Sequence, residues 1–389
     1  MPLRLIWLGV AAMALDIGVS RISYGMLLVP LRADLMLSYT VAGLLSSLNL
    51  AAYLAGNLIA PPLGKRWSMP VLACGGHAMV ALGALLNGLA QEVFVLAAGR
   101  LLMGLGAGVG LVAVFVIAFS RTPTASRGAA SAAMWSGIGL ALIGTAASFP
   151  FTLEAGGAWR WVFIIAAVIG AGVAFGLRPG QTAAAPEANG QSSLAGHQQT
   201  RVKSWWQWLP LFGGYGAFGL GYIAYTTFVS VRLANLHLSV AAITASWMVM
   251  GLATLAGCGL TAKLLGNVRL KHIAFTLSFV AAAIGCLLVS GEGALLASAA
   301  GVFVGLGLAS TPAILTAYVR ERTSDADYAR LFSIGTAFIG TGQLAGPAIA
   351  GVLTDRFGSL AVIYLAFAAY ALGGLLAALD FALARKHWR

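Results

Sequence analysis

Three charged residues stand inside long apolar stretches of the chain and are the first candidates for chemistry. Asp16 and Arg21 interrupt the first stretch, and Arg100 interrupts the fourth. A charged side chain at the centre of a membrane span costs about 2.5–3.5 kcal/mol even on the mildest scale, so each of the three needs a compensating role. Arginine presents a planar fork of donors that matches a carboxylate in two hydrogen bonds. We therefore expect Arg21, Arg100 or both to bind an anionic solute.

Asp16 has two alternative roles that the sequence does not separate. Burial favours its neutral form, whereas a neighbouring arginine favours its charged form, so its charge could follow solute occupancy and couple transport to protons. Alternatively, Asp16 is a permanent ion-pair partner of Arg21 or Arg100 that holds helices together. His77, in the third apolar stretch, is expected to be a packed, hydrogen-bonded residue rather than a proton relay.

A second set of candidates is an aromatic stripe early in the second half of the chain. Tyr215, Phe218, Tyr222 and Tyr225 are spaced 3, 4 and 3 residues apart, which places them along one face of a helix. Such a stripe is often packing, but a phenol hydroxyl that faced lipid would need a partner. The predicted solute contacts are Arg21, Arg100, Tyr24, Tyr222, Tyr225 and Gln343, and the predicted proton-coupling residue is Asp16.

The composition indicates which elements must position these side chains. Of 389 residues, 60% are hydrophobic and only 9% are charged, and the mean hydropathy is +0.90. A soluble domain carries about 25% charged residues, so water is the wrong solvent for most of this chain. Twelve apolar stretches of roughly 20 residues each are long enough to cross a bilayer as helices. The sequence predicts an all-α integral membrane protein with twelve transmembrane helices.

The net charge of +12 follows the topology of such a protein and does not indicate a nucleic-acid surface. Most of the 23 Lys and Arg residues fall in alternate loops and in the tails. Because cytoplasmic loops carry the excess of basic residues, this asymmetry predicts that both termini lie in the cytoplasm. The first apolar stretch is too long for a signal peptide and is interpreted as an uncleaved span.

Two similar halves are indicated by pairs of short motifs at one constant separation. Trp7-Leu8 and Trp208-Leu209, Tyr24 and Tyr225, and Leu37-Ser38 and Leu238-Ser239 all lie 201 residues apart. The sequence predicts a six-helix bundle at 1–177, a cytoplasmic linker at 178–206 and a second six-helix bundle at 207–389. At the same offset, Ala217, Tyr222 and Gly301 replace Asp16, Arg21 and Arg100, so the first half is expected to bind charge and the second to supply an aromatic wall.

Several local motifs resemble those of major facilitator superfamily transporters. They are Gly99-Arg100-Leu101-Leu102-Met103-Gly104, Trp159-Arg160-Trp161-Val162-Phe163, Gly346-Pro347 and Asp355-Arg356-Phe357-Gly358. The segment Ser20-Arg21-Ile22-Ser23-Tyr24-Gly25 is similar to a bacterial branch of largely uncharacterised permeases. This resemblance implies two pseudo-symmetric bundles, a midplane site between them and alternating access in the bacterial inner membrane. Two departures are the missing Asp in 60–67 and the missing Gly-Pro motif of drug antiporters in 137–145.

The resulting functional expectation is a secondary transporter, expected to be a monomer, that moves a small organic anion together with protons. The alternatives are efflux of amphipathic compounds or sugars and a non-transporting membrane receptor with the same fold. An enzyme is not expected, because the scattered histidines and lone carboxylates supply no catalytic pair. No Gly-rich stretch precedes Lys-Ser or Lys-Thr, so no nucleotide loop is predicted. We expect no cofactor, no metal ion and no nucleic-acid partner.

Overall fold

The computed structural model describes residues 3–123, 126–154, 157–180, 205–264, 268–323 and 325–385. Across these ranges the regular structure is helical, without strands. Within these ranges, eleven helices are long and apolar enough to cross a membrane. The predicted all-helical membrane fold is therefore confirmed. Residues 181–204, which include most of the predicted linker, lie outside the described residues, and the predicted boundaries between the halves stay predictions.

The first half, named here by chain order, contains six spans. They are α1 (Leu3–Met26), α2 (Tyr39–Gly64), α3 (Met69–Leu89), α4 (Val93–Ser120), α5 (Arg127–Thr152) and α6 (Trp159–Leu177). A short helix, Leu28–Leu35, follows α1. Residues Ala14–Ser23 of α1 are wound as a π-helix, and this segment carries both Asp16 and Arg21. A π-helix is rare in proteins overall, but where it occurs it is often at a functional site.

The second half also contains six long helices. They are α7 (Leu209–Asn235), α8 (Val240–Leu264), α9 (Val268–Ser290), α10 (Ala294–Arg320), α11 (Asp325–Phe357) and α12 (Ser359–Arg385). The helix α7 is the one that is absent from the eleven apolar spans. Its residues 221–231 are all buried, so lipid does not contact this stretch and its Tyr, Thr and Ser side chains are tolerated.

The helix starts of α2 and α8 show why the repeated Leu-Ser motif matters. Ser38 Oγ accepts a hydrogen bond from the Val41 amide at 3.2 Å, and Ser239 Oγ accepts one from the Ala242 amide at 3.2 Å. An N-cap serine satisfies one of the amides that a helix start leaves without an intrahelical partner. The two halves thus begin their second helices in the same way.

In the described part of the chain, the halves contact each other mainly through α1 with α7, α2 with α11 and α5 with α8, and the short helix Leu28–Leu35 also contacts α7. We call the side of the molecule at which α1 ends and α2 begins the far side, and the opposite side the near side. On the far side, a Cβ atom added to Gly25 would overlap the carbonyl oxygen of Thr226, and one added to Gly43 would overlap that of Pro347. Glycine lets membrane helices approach to backbone contact, so the far side is closed.

Asp355, at the far end of α11, caps α2 from the other half. Its Oδ1 accepts from the Tyr39 amide at 3.1 Å, and its Oδ2 accepts from the Thr40 amide and the Thr40 hydroxyl at 2.7 Å each. A carboxylate at a helix N-terminus stabilises the helix through its dipole and its free amides, typically by about 1 kcal/mol. Here that stabilisation exists only while the far side is closed.

We expect Asp355→Ala to populate a state that is open on the far side. Without the carboxylate, the amides at the start of α2 lose their acceptor on α11 and can bind water equally well in the open state. A cysteine in place of Ile22, which lines the central cavity described below, should react faster with a membrane-impermeant thiol reagent added from the far side. Cys74, Cys258 and Cys286 would be replaced in the background. Asp34→Ala is the matched control, since Asp34 binds Arg160 within the first half. Equal labelling rates in the two variants would contradict a latch at Asp355.

Candidate functional site

A cavity of about 180 Å³ lies between the two halves at the level of the π-helical segment. Its wall is mainly aromatic and aliphatic. The aromatic residues are Tyr53, Trp135, Tyr215, Phe218, Tyr222 and Phe332, and the polar or charged residues are Arg21, Asn57, Thr316, Thr336 and Gln343. No Asp or Glu occurs among the described residues that line it. Small-molecule sites usually combine such an apolar wall with a few placed polar groups.

Arg21 supplies the positive charge of this cavity. Its side chain is 3% exposed, and its Cζ atom lies 3.6 Å from the centroid of the Tyr53 ring. Neither Nε nor Nη2 has a hydrogen-bond acceptor among the described residues. A cation–π contact contributes about 0.5–2 kcal/mol, which is less than the cost of burying the charge. Arg21 therefore has donors free for an anionic ligand.

The second half provides a polar contact opposite Arg21. Gln343 Nε2 donates to the Tyr222 hydroxyl at 2.7 Å, and this hydroxyl also lies beside Arg21. The Phe218 and Tyr222 rings stack with their centroids 5.1 Å apart. Three of the predicted contacts, Arg21, Tyr222 and Gln343, are thus brought together across the interface between the halves.

Arg100 lies outside the cavity lining, in the core of the first half. Its Nη1 donates to the Ser20 carbonyl and its Nε to the Leu45 carbonyl at 3.5 Å, while Nη2 has no acceptor in the described part of the chain. Its Cζ atom lies 4.1 Å from the centroid of the Tyr24 ring, and the Tyr24 hydroxyl donates to the Ala42 carbonyl at 3.0 Å. Arg100 and Tyr24 therefore connect α1, α2 and α4.

Tyr225 is also absent from the cavity lining. It is 1% exposed and lies close enough to Cys286 of α9 for the two side chains to interact. The 3, 4, 3 spacing correctly placed the stripe on one helix, but the face turns away from the cavity after Tyr222. Its first three members, Tyr215, Phe218 and Tyr222, do line the cavity.

Asp16 contacts His77 and forms an ion pair with neither arginine. Asp16 Oδ2 lies 3.3 Å from His77 Nε2, and both side chains are fully buried. The other ring nitrogen of His77 lies 2.8 Å from the Ala73 carbonyl oxygen. The alternative in which Asp16 is the ion-pair partner of Arg21 or Arg100 is thus not the arrangement observed.

Several cavity residues lay outside the predicted site. Asn57, Thr316 and Thr336 are isolated polar side chains in apolar spans, the same signal that singled out Gln343. Tyr53 and Trp135 were recognisable as aromatic, but nothing in the sequence orients them. No group of three or more His, Cys, Asp or Glu side chains that could hold a metal ion occurs among the residues that the structure describes.

A groove of about 510 Å³ adjoins the cavity and shares Ile17, Tyr53 and Trp135 with it. It runs between α4 and α5 towards Ser120 and Arg127 at the near end of these helices. Its wall is otherwise apolar, with Phe115 and Phe119 among its members. Since the far side is closed, this groove gives the cavity an approach from the near side.

Comparisons with known proteins identify a family and a fold. Residues 13–379 match the sequence model of a family described as uncharacterised MFS-type transporter YbfB, where MFS denotes the major facilitator superfamily. The chain is 29% identical over 161 residues to the uncharacterized MFS-type transporter YwfA of Bacillus subtilis (strain 168), a match covering 40% of this chain and 38% of that protein. It is 31% identical over 116 residues to the sugar transport protein MST8 of Oryza sativa subsp. japonica, covering 30% of this chain and 22% of that protein. The matches thus span well under half of either relative.

Two solved structures share the fold. A point mutant of the nucleoside transporter NupG superposes with a TM-score of 0.75 at 13% identity, over 98% of each chain. A bacterial homolog of the human lysosomal transporter Spinster, in an inward-facing and occupied conformation, gives a TM-score of 0.68 at 16% identity. The second superposition covers 98% of this chain and 96% of that one.

The different surroundings of the two arginines predict different effects on stability. Arg100→Gln should lower the free energy of unfolding by about 1–3 kcal/mol, because the Ser20 and Leu45 carbonyls lose buried donors. Arg21→Gln should leave it unchanged or raise it, because no hydrogen bond to a backbone carbonyl is lost and a buried charge is removed. Thermal unfolding of both variants in the same detergent checks this. Equal destabilisation by the two substitutions would contradict the assignment.

Proposed function

The chain belongs to the family described as uncharacterised MFS-type transporter YbfB, and on this premise we propose that it is a secondary transporter of small organic anions. The observation that carries the proposal is Arg21, a buried guanidinium with free donors in a cavity whose described lining holds no acidic residue. The aromatic wall favours a carboxylate with an aromatic or short apolar body. Arg21, Tyr222 and Gln343 are the proposed solute contacts.

Alternating access is the proposed mechanism. In this fold one half rocks against the other about a site at their interface. The closed far side and the groove to the near side support an inward-open or inward-occluded state of such a cycle. Protons are the proposed coupling ion, and Asp16 is the proposed coupling residue. The transporter is proposed to act as a monomer.

The proposed location is the bacterial inner membrane with both termini in the cytoplasm, so that the near side is cytoplasmic. Basic residues at near-side helix ends, such as Arg66, Arg121 and Arg178, support this orientation through the positive-inside rule. A C-terminal tag that proteases reach in intact spheroplasts from outside would contradict it.

An amphipathic solute is the second candidate, because the groove beside the cavity is long and apolar. A sugar is a further alternative, suggested by the name of the rice relative. A receptor with the same fold would bind a solute without moving it. Uptake into proteoliposomes therefore has to accompany any binding experiment.

A thermal-shift experiment on the purified protein separates these candidates by charge. Benzoate, benzamide and benzylamine share a ring and differ in charge, and propionate tests whether the ring is needed. We expect benzoate or propionate to raise the melting temperature and the neutral and cationic compounds not to, since stabilisation follows occupancy. Stabilisation by ethidium, glucose or uridine without any by the acids would favour the alternatives instead.

Arg21→Gln should weaken binding of the stabilising acid by about 10- to 150-fold, since hydrogen bonds to charged groups contribute about 1.5–3 kcal/mol. The matched control is Arg232→Gln, because Arg232 donates to the Val289 and Ser290 carbonyls at the far end of α7, away from the cavity. Affinity that is equal in wild type and Arg21→Gln would contradict the anion site. At low concentrations of the labelled acid, its uptake by Arg21→Gln should fall by the same factor as its binding affinity.

A further inference from the structure

Asp16 and His77 form a fully buried pair in the core of the first half, apart from the anion cavity. Asp16 lies on the π-helical segment of α1, His77 lies on α3, and neither lines the cavity. His77 Nδ1 is 2.8 Å from the Ala73 carbonyl oxygen, which can only accept, so Nδ1 carries a hydrogen. His77 Nε2 therefore faces Asp16 Oδ2 at 3.3 Å with its protonation open to change.

Among the residues that the structure describes, Asp16 has no partner besides His77 that could fix its charge. Apart from that ring, no described residue donates a hydrogen bond to either carboxylate oxygen. A fully buried ionised carboxylate without donors is strongly disfavoured, and so is a fully buried isolated imidazolium. The pair avoids both costs only by holding one proton between its two members, either as a carboxylate with an imidazolium or as a carboxylic acid with a neutral ring.

We propose that Asp16 and His77 together are a proton-binding site of this transporter, with His77 as the residue that completes it. In the resting pair one proton is shared, and its movement between Nε2 and Oδ2 leaves the net charge unchanged. Uptake of a second proton gives a carboxylic acid beside an imidazolium, and its release restores the shared state. The role of this site in coupling rests on the proposed anion transport, whereas its titration does not.

The helices around the pair carry further charged, titratable and hydroxyl groups. Arg21 and Tyr24 lie on α1 itself, Arg100 reaches the Ser20 carbonyl from α4, and Tyr53 lies against Arg21 from α2. On α3, Cys74 is partly exposed one turn before His77. From α7, Tyr222 lies beside Arg21, and α5 contributes the Thr145 hydroxyl, bonded to Ser23 at 2.8 Å.

The π-helical segment links the pair to the anion site. Asp16 and Arg21 are five residues apart on this segment, which is the hydrogen-bonding repeat of a π-helix, so both lie on one continuous helical unit. In the proposed cycle, an anion on Arg21 adds a negative charge on the same helical segment as the pair, and a nearby negative charge favours uptake of a proton. Because linkage is reciprocal, anion binding and proton binding then reinforce each other, as a symporter requires.

A second buried pair, His272 with Asp380, provides an internal control. His272 Nε2 lies 2.8 Å from Asp380 Oδ2 between α9 and α12. Asp380 also interacts with Tyr318, whose hydroxyl accepts from Arg322 Nη1. A guanidinium is therefore connected to this pair through Tyr318, whereas the described residues show no such connection for Asp16 and His77.

The experiment is pH-induced infrared difference spectroscopy of the purified full-length protein in lipid, with no solute added. Asp16→Asn should remove a carboxylic-acid C=O band that appears on acidification, or that shifts in frequency if the resting proton lies on Asp16. His77→Gln should shift or remove that band together with the imidazole bands, and His272→Gln should leave it unchanged. Asp16→Glu should retain the band at a shifted frequency, which keeps the test valid if the asparagine variant folds poorly.

The same variants separate this inference from the proposed function. Arg21→Gln should weaken benzoate binding and keep the infrared response, with its onset at higher pH because a nearby positive charge is removed. A failure of the anion proposal therefore leaves the proton site standing. His77→Gln should lose accumulation driven by a pH gradient while retaining benzoate exchange across membranes at equal pH. An acid-induced change in the carboxyl band that survives unchanged in either Asp16→Asn or His77→Gln, or the absence of any such change in wild type, would overturn the proposal.

Discussion

A positive charge that no acidic side chain neutralises among the described residues is the constraint on which the first half depends. Arg100 and Arg21 are both buried, and Asp16 contacts His77 instead of either. Two backbone carbonyls accept hydrogen bonds from the Arg100 guanidinium, and the Tyr24 ring packs against it, so these contacts fix its position. The face of Tyr53 offers Arg21 about 2 kcal/mol at most, against a burial cost of about 2.5–3.5 kcal/mol. The remainder of that cost is what a bound anion would remove.

Two kinds of interaction close the far side: close helix packing, and hydrogen bonds that water can replace. Lipid gives membrane helices no hydrophobic reason to associate, so contact between the halves depends on close packing and hydrogen bonds. The glycine contacts of α1 with α7 and of α2 with α11 supply the packing. The exposed Asp355 supplies hydrogen bonds that water can replace at little cost. Such a closure is stable in one state and reversible, which a rocking transporter requires.

The sequence predicted the spans well because bilayer thickness dictates their length, and the repeated Leu-Ser motif correctly indicated matching helix starts at Ser38 and Ser239. It could not separate Arg21 from Arg100. Depth in the membrane follows from residue number, but the direction of a side chain around its helix depends on the winding, and the π-helical segment has no signature in composition. The partner of Asp16 was hidden for the same reason, since nothing in the sequence turns His77 towards α1.

The repeat itself explains which residues reach the cavity. Two positions related by the pseudo-twofold axis can meet only if both face that axis. Arg21 and Tyr222 are separated by the repeat offset of 201 residues, and they lie side by side in the cavity. Tyr24 and Tyr225 are also equivalent, and neither lines it. Ala217, the equivalent of Asp16, lines a separate groove between α7, α11 and α12, which agrees with Asp16 lying off the axis. We therefore expect the solute to bind where two equivalent positions face each other but carry different side chains. Arg21 supplies a cation from the first half, and Tyr222 supplies a phenol from the second.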